Sequence, residues 1–237
     1  MKSHTLPLLV AMILVAPASF ASTYQFQQPA QGMVSPIKPP SSIGNGISTD
    51  GACAIGAATG CSTWNPNDKG ALMILSSDKL TVSNPGSWTS LRATTGKPTG
   101  KWYWELTTAG SPNIIVGIAA ADMATGSEIG VTYSSYGFNR GNPNRLRWSG
   151  ATANPFTAAV DFNPGHVVSF ALDMDNKQLH VAIDGVWQAN ANFGVVVSGL
   201  SGTVFPALQS TGGGATANFG QTNFHYPVPA GYNAGLW

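Results

Sequence analysis

Gly165-His-Val-Val-Ser-Phe-Ala-Leu-Asp173 leads through Met174-Asp-Asn-Lys-Gln178 into Leu179-His-Val-Ala-Ile-Asp-Gly185. Two apolar runs rich in β-branched and aromatic residues flank a cluster of Asp and Asn, residues that tolerate the backbone angles of a tight turn. The pattern predicts a β-hairpin. Beyond it, Val204-Phe-Pro-Ala-Leu208 and Ala217-Asn-Phe-Gly-Gln221 read as two short strands, and Phe224-His-Tyr-Pro-Val-Pro-Ala-Gly231 as a closing segment.

Upstream the pattern repeats. From Trp64 onward, Ala71-Leu-Met-Ile-Leu75 and Lys79-Leu-Thr-Val-Ser83 are apolar runs followed by the turn Asn84-Pro-Gly86. Lys101-Trp-Tyr-Trp-Glu-Leu-Thr-Thr108 alternates so that Trp102, Trp104 and Leu106 share one face of a strand while Tyr103, Glu105 and Thr107 share the other. Aromatics on both faces predict a strand covered on both, with Trp102 and Trp104 in the core. Asn113-Ile-Ile-Val-Gly-Ile-Ala-Ala120 is a buried type of strand whose Gly117 marks a bend or a close backbone approach. Residues 129 to 161 are looser, with Asn, Gly and Pro suited to long connections.

Composition agrees with an all-β chain. Of 237 residues 43% are apolar, enough for a core, and 9% are charged, against a usual fraction of about a quarter. The 28 Gly and 16 Pro favour short strands and frequent turns over helices. A net charge of +1 provides no electrostatic footprint for nucleic acid.

Residues 1–21 read as a signal peptide: Lys2, an apolar run from Leu6 to Ala16, and Ser19-Phe-Ala21 before the cut. Pro7 and Pro17 interrupt the run, and it falls short of the roughly 20 residues a spanning helix needs, so no stable membrane insertion is expected after cleavage. The mature chain is expected in the periplasm, at the cell surface or outside the cell. Residues 22–63 form a leader rich in Pro, Gly and Ser with no sustained periodicity, and residues 64–237 form the folded domain. Cys53 and Cys61 enclose a flexible loop. An oxidising compartment favours a disulfide between them over two free thiols or half of a metal site, because zinc wants about four ligands and the nearest mature histidine is His166.

From Trp64 to Trp237 these segments, in this order, resemble the SPRY (B30.2-like) family. Gly100-Lys-Trp-Tyr-Trp-Glu105 is similar to its opening motif, Ile115-Val-Gly-Ile118 to the next strand, and Ser135-Tyr-Gly-Phe138 to its central aromatic-glycine element. Val167 to Gly185 resembles the family's hairpin, and Ala217-Asn-Phe-Gly-Gln221 with Phe224 and Pro229-Ala-Gly231 its ending. His166 departs from the acidic residue common after Gly165, and Asp184 from the Asn frequent before Gly185. Both are turn positions, so what the departures affect is local hydrogen bonding. The resemblance implies a concanavalin-like sandwich of two antiparallel sheets in a bacterial-type exported member. It also implies a non-catalytic module that binds a protein partner through its loops.

The residues offer catalysis little. His166, His180 and His225 have no identifiable nucleophile partner, and no Gly-x-Ser-x-Gly elbow occurs. Glycoside hydrolysis needs two carboxyl groups a few ångströms apart, but Glu105 and Glu128 sit on a strand and a loop, and Glu105 reads as a structural hydrogen-bonding residue. Asp173-Met-Asp175-Asn176 is a hairpin turn and not a calcium loop. No cofactor and no metal are expected. In the closing segment, Phe219 and Phe224 are expected to fill the core and Asn218 to satisfy buried backbone groups. For binding, Tyr136, Arg140, Arg145, Arg147 and Trp148 combine the residue types that anchor interfaces. The alternative is a lectin-like module, in which Trp148 or Trp187 would stack on a glycan.

Overall fold

The computed structural model describes residues 60–110, 113–131, 135–139, 163–188 and 196–237, and residues 145–148 and 151–153 by backbone. The signal peptide, most of the leader, Cys53 and Arg140 lie outside the described residues.

Sixteen strands and no helix occur among the described residues. They are β1 (Trp64–Lys69), β2 (Ile74–Leu75), β3 (Thr81–Ser83), β4 (Thr89–Ala93), β5 (Lys101–Gly110), β6 (Ile114–Ala120), β7 (Ser135–Asn139) and β8 (Arg145–Trp148). Then come β9 (Ala151–Ala153), β10 (Val167–Asp173), β11 (Gln178–Ile183), β12 (Val186–Trp187), β13 (Val197–Ser198), β14 (Val204–Ser210), β15 (Gly213–Asn218) and β16 (Asn233–Ala234). One sheet has the order β1-β4-β14-β6-β7-β8-β9. The other runs β12-β11-β10-β5-β15-β3-β2, with β13 also on β11 and β16 on β5. All pairs are antiparallel except β16 with β5.

The expected hairpin is β10 and β11, in unbroken register from Val168 opposite Ile183 to Asp173 opposite Gln178. Its turn is built around Asp173. Oδ1 accepts from the backbone N–H groups of Asp175 and Asn176, and Oδ2 from the Asn176 amide and from Lys101 Nζ at 2.9 Å. Burial pushes the Asp173 pKa up, but these donors outweigh it and hold the carboxyl below its ordinary value of 3.8.

The alternation of β5 sorts its side chains as expected. Trp104 and Leu106 face the other sheet and join the main core, together with Val168, Phe170, Leu172, Val116, Ile118 and Phe138. Trp104 stacks on its register partner Phe170, with ring centroids 5.1 Å apart, and Phe138 reaches Phe170 from the opposite sheet at 6.1 Å. Each such side chain contributes roughly 1.5–3 kcal/mol by leaving water. Trp102 differs from expectation: it lies at the edge of the core, half-buried, with Lys97 Nζ 3.6 Å from its ring centroid and Trp237 against its edge. Trp102 is the second residue of β5, and its indole N–H donates to the Thr99 carbonyl just before the strand, which holds the ring at the edge.

The other face of β5 is covered by the closing segment. Phe219 fills the core beside Trp64. Phe224, expected beside it, instead packs edge-on against Tyr103 at 4.9 Å, outside the nine-stranded sheet. Asn218 bonds backbone as expected, but at the surface and not in the interior: its amide donates to the carbonyls of Thr222 and Asn223, and its Oδ1 accepts from the part-buried Gly220 N–H.

Residues 129 to 161, read as connections, contribute β7, β8 and β9 as a meander at one end of the seven-stranded sheet. The apolar run Ala71 to Leu75 yields strand only at Ile74–Leu75. The expected close approach at Gly117 is present, since a Cβ there would stand 2.0 Å from the Tyr136 carbonyl oxygen across the β6–β7 pair.

Candidate functional site

A cleft of about 790 Å³ opens at one end of the seven-stranded sheet. β6 supplies Ile118, Ala119 and Ala120, Ala121 and Asp122 continue from it, β7 supplies Tyr136, and Gly199 to Val204 form the opposite wall. Ile118, Leu200 and Val204 belong to the main core and Tyr136 packs against it, so the cleft is where the apolar layer between the sheets meets solvent. Among the described lining residues Asp122 is the one carboxylate, and it is exposed.

The wall from Ala120 to Asp122 is held from behind. Leu91 of β4 points into the main core, which turns Arg92 to the outer face of the sheet. There the guanidinium meets Asp68 through two bonds, Nε to Oδ2 at 2.7 Å and Nη2 to Oδ1 at 3.0 Å. Its Nη1 donates to the carbonyls of Ala120 and Met123, the latter at 2.8 Å. A rigid planar fork suits this, because one group must satisfy a carboxylate and two carbonyls in fixed directions. A small apolar cluster of Ile115, Ala119, Met123, Ile129 and Ala207 lies beneath the same segment. Ser90 Oγ donates to the Thr125 and Ser127 carbonyls, and the Ile129 N–H donates to Gln209 Oε1 at 2.8 Å.

Of the residues singled out in the sequence, Tyr136 lines the cleft. Trp148 is its register partner on β8, Arg147 stands opposite Gly137, and Arg145 opposite Asn139, so the fold brings these four to adjacent strands. Arg140 lies outside the described residues. Asp122 and the loop from Gly199 to Thr203 were not singled out, because their role comes only from the strands that bring them together.

Glu105 marks a second polar centre, on the outer face of the nine-stranded sheet. It is 1% exposed. Oε1 accepts from the Tyr103 hydroxyl at 2.8 Å and from the Tyr226 N–H at 2.9 Å, and Oε2 accepts from the His225 N–H at 2.8 Å, with His225 Nδ1 at 3.1 Å. Burial, with the Glu105 carboxylate alongside, pushes the Tyr103 phenol far above the ordinary tyrosine range and keeps it neutral. Glu105 therefore ties the closing segment to the sheet. Glu128 lies on the segment covering the outer face of the other sheet, so the two glutamates are on opposite sides of the sandwich and cannot act as a pair on one bond.

His166 and Asp184, the two departures from the family's usual residues, meet each other. His166 Nδ1 lies 2.5 Å from Asp184 Oδ2, while Asp184 Oδ1 accepts from the Val167 N–H at 2.9 Å. The pair thus links the residue before β10 to the residue after β11. Among the described residues no group of three or more His, Cys, Asp or Glu is placed to hold a metal ion.

A family model described as SPRY domain matches residues 101–222. The fold is similar to the SPRY domain of human HERC1, with a TM-score of 0.54 at 12% identity, covering 68% of this chain and 99% of that one. It is likewise similar to the TRIM65 PSpry domain, with a TM-score of 0.53 at 13% identity over 67% and 89% of the two chains. A third likeness, to the stonustoxin structure, has a TM-score of 0.53 at 15% identity over 67% of this chain and 27% of that one. At these identities the likeness is one of fold.

Proposed function

This chain belongs to the SPRY domain family, whose members are generally protein-interaction modules, and we propose that it is a non-catalytic protein-binding module of the cell envelope or exterior. Its partner contacts the cleft at Tyr136 and the adjoining strand that carries Arg145, Arg147 and Trp148. The observation that carries this reading is the cleft itself. It is an opening of about 790 Å³ at the loop-bearing end of the sandwich, apolar within, and lined by an aromatic residue of the kind that anchors interfaces.

The test uses the exported chain with a photo-reactive phenylalanine derivative at Tyr136, and separately at Val186, an exposed residue of the other sheet. Irradiation is expected to capture a saturable protein partner from position 136 and not from position 186, with free sugars leaving capture unchanged. Equal capture at both positions would remove the cleft from the interface. Competition by sugars would favour the lectin-like alternative.

Export and the Cys53–Cys61 disulfide belong to the same proposal. Mass spectrometry of the unreduced mature protein is expected to find a chain starting near Ser22. It is also expected to find the two cysteine peptides joined and lighter by the two thiol hydrogens. Two alkylatable thiols would sink the disulfide.

A further inference from the structure

Three properties of the cleft fit a single kind of side chain. Ala120 and Ala121 give it apolar surface above the buried Ile118, Leu200 and Val204, Tyr136 gives it an aromatic ring, and Asp122 gives it the only carboxylate among the described lining residues. An alkyl stem is stabilised along the first, a flat cation on the second, and a paired N–H donor at the third. We infer that the cleft receives an arginine from an extended segment of the partner protein, with Asp122 as its specificity-determining residue. The inference rests on the protein-binding reading and names the partner's chemistry.

Two further features support an extended segment. Gly199 and Gly202 adopt φ of +75° and +66°, and nothing lies within 4 Å of where a Cβ would stand at either. The rim is therefore low enough for a second backbone to approach closely. The wall opposite is fixed, because Arg92 holds the carbonyls of Ala120 and Met123 on either side of Asp122. The backbone that carries Asp122 is thereby held in place, and a wall that does not have to be ordered on binding favours affinity.

Arginine is favoured over lysine by shape. A guanidinium can donate to both oxygens of one carboxylate and stack on a ring, whereas an ammonium is a hydrated point charge. Citrulline keeps the length and planarity without the charge and therefore isolates the electrostatic part.

The experiment screens an array of extended dodecapeptides in which one position carries Arg, Lys, citrulline or Glu within varied apolar frames. The probes are the mature chain, Asp122→Asn, Asp122→Arg and Tyr136→Ala. Asp122 is exposed, so its variants are expected to fold, and thermal melting verifies this. The best Arg peptides are expected to bind about tenfold more tightly than their citrulline counterparts, the size of one charge-assisted hydrogen-bonded pair. Asp122→Asn should abolish that difference, and Asp122→Arg should reverse the preference toward Glu. An Arg preference that survives Asp122→Asn overturns the inference, as does equal binding of Arg and citrulline peptides. Binding that depends on Tyr136 but is indifferent to residue 122 would leave the protein-binding reading standing and overturn this inference alone. Absence of any peptide binding sensitive to Tyr136 would overturn both.

Discussion

Replacing Glu105 with alanine is expected to lower the unfolding free energy by about 3–4 kcal/mol, measured by urea denaturation of the mature domain. The carboxylate accepts from the buried Tyr103 hydroxyl and from two consecutive backbone N–H groups, at His225 and Tyr226. Alanine leaves all three donors without their partner, and an unsatisfied buried donor costs about 1–3 kcal/mol. The His225 side chain is 60% exposed, so water can reach that end of the segment and the full sum is not expected. Glutamine is the informative second variant. It keeps the volume and one acceptor oxygen but places an N–H₂ where an acceptor is needed, so a loss of about 1–2 kcal/mol is expected. A change below 1 kcal/mol for the alanine variant would show that the Glu105 bonds are not what holds the closing segment. The cleft lies at the end of the other sheet, so the stable glutamine variant should bind peptides as the parent does.

Local periodicity made much of this fold legible. The two-residue alternation of β5 sorts Trp104 and Leu106 from Tyr103 and Glu105 because a pleated strand must turn successive side chains to opposite faces. The hairpin turn could be read because Asp173 and Asn176 make their bonds within a few residues. Phe224 was misplaced for a related reason. Its apolarity signals burial, but sequence does not say which of two covered faces it joins. The β7–β9 meander was obscured by Asn, Gly and Pro, which weaken the local strand signal while the sheet supplies partners from outside the segment.

The site was legible only in part, and the division follows sequence separation. Tyr136 could be chosen as an aromatic residue in a polar stretch. Asp122 could not, because it becomes a wall residue only when β6 ends beside Val204, its strand's partner being more than eighty residues distant. Arg92 is 24 residues from Asp68 and 28 and 31 residues from the carbonyls it meets. Nothing in Ser90-Leu-Arg-Ala93 distinguishes such an arginine from one on a solvated face.

Arg92→Met is expected to cost about 3 kcal/mol and to loosen the cleft wall. Methionine matches much of the arginine stem and lies well beside Phe205, over whose ring the guanidinium sits at 5.8 Å. Replacing both members of a buried ion pair by apolar volume is often neutral, but this variant removes only one of them. Here that compensation is incomplete, because the carbonyls of Ala120 and Met123 also lose their donor. Asp68, with a side chain 28% exposed, can turn to water and so adds little to the loss. Arg92→Lys should fall between parent and Met, since one ammonium cannot span a carboxylate and two carbonyls. Hydrogen exchange separates this account from general destabilisation. The Ile129 amide, which donates to Gln209 on the same outer face, should exchange faster in Arg92→Met under conditions where the Phe170 and Val181 amides of the β10–β11 hairpin remain protected. Uniform acceleration across both sheets would mean that Arg92 stabilises the sandwich as a whole and does not specifically position the wall.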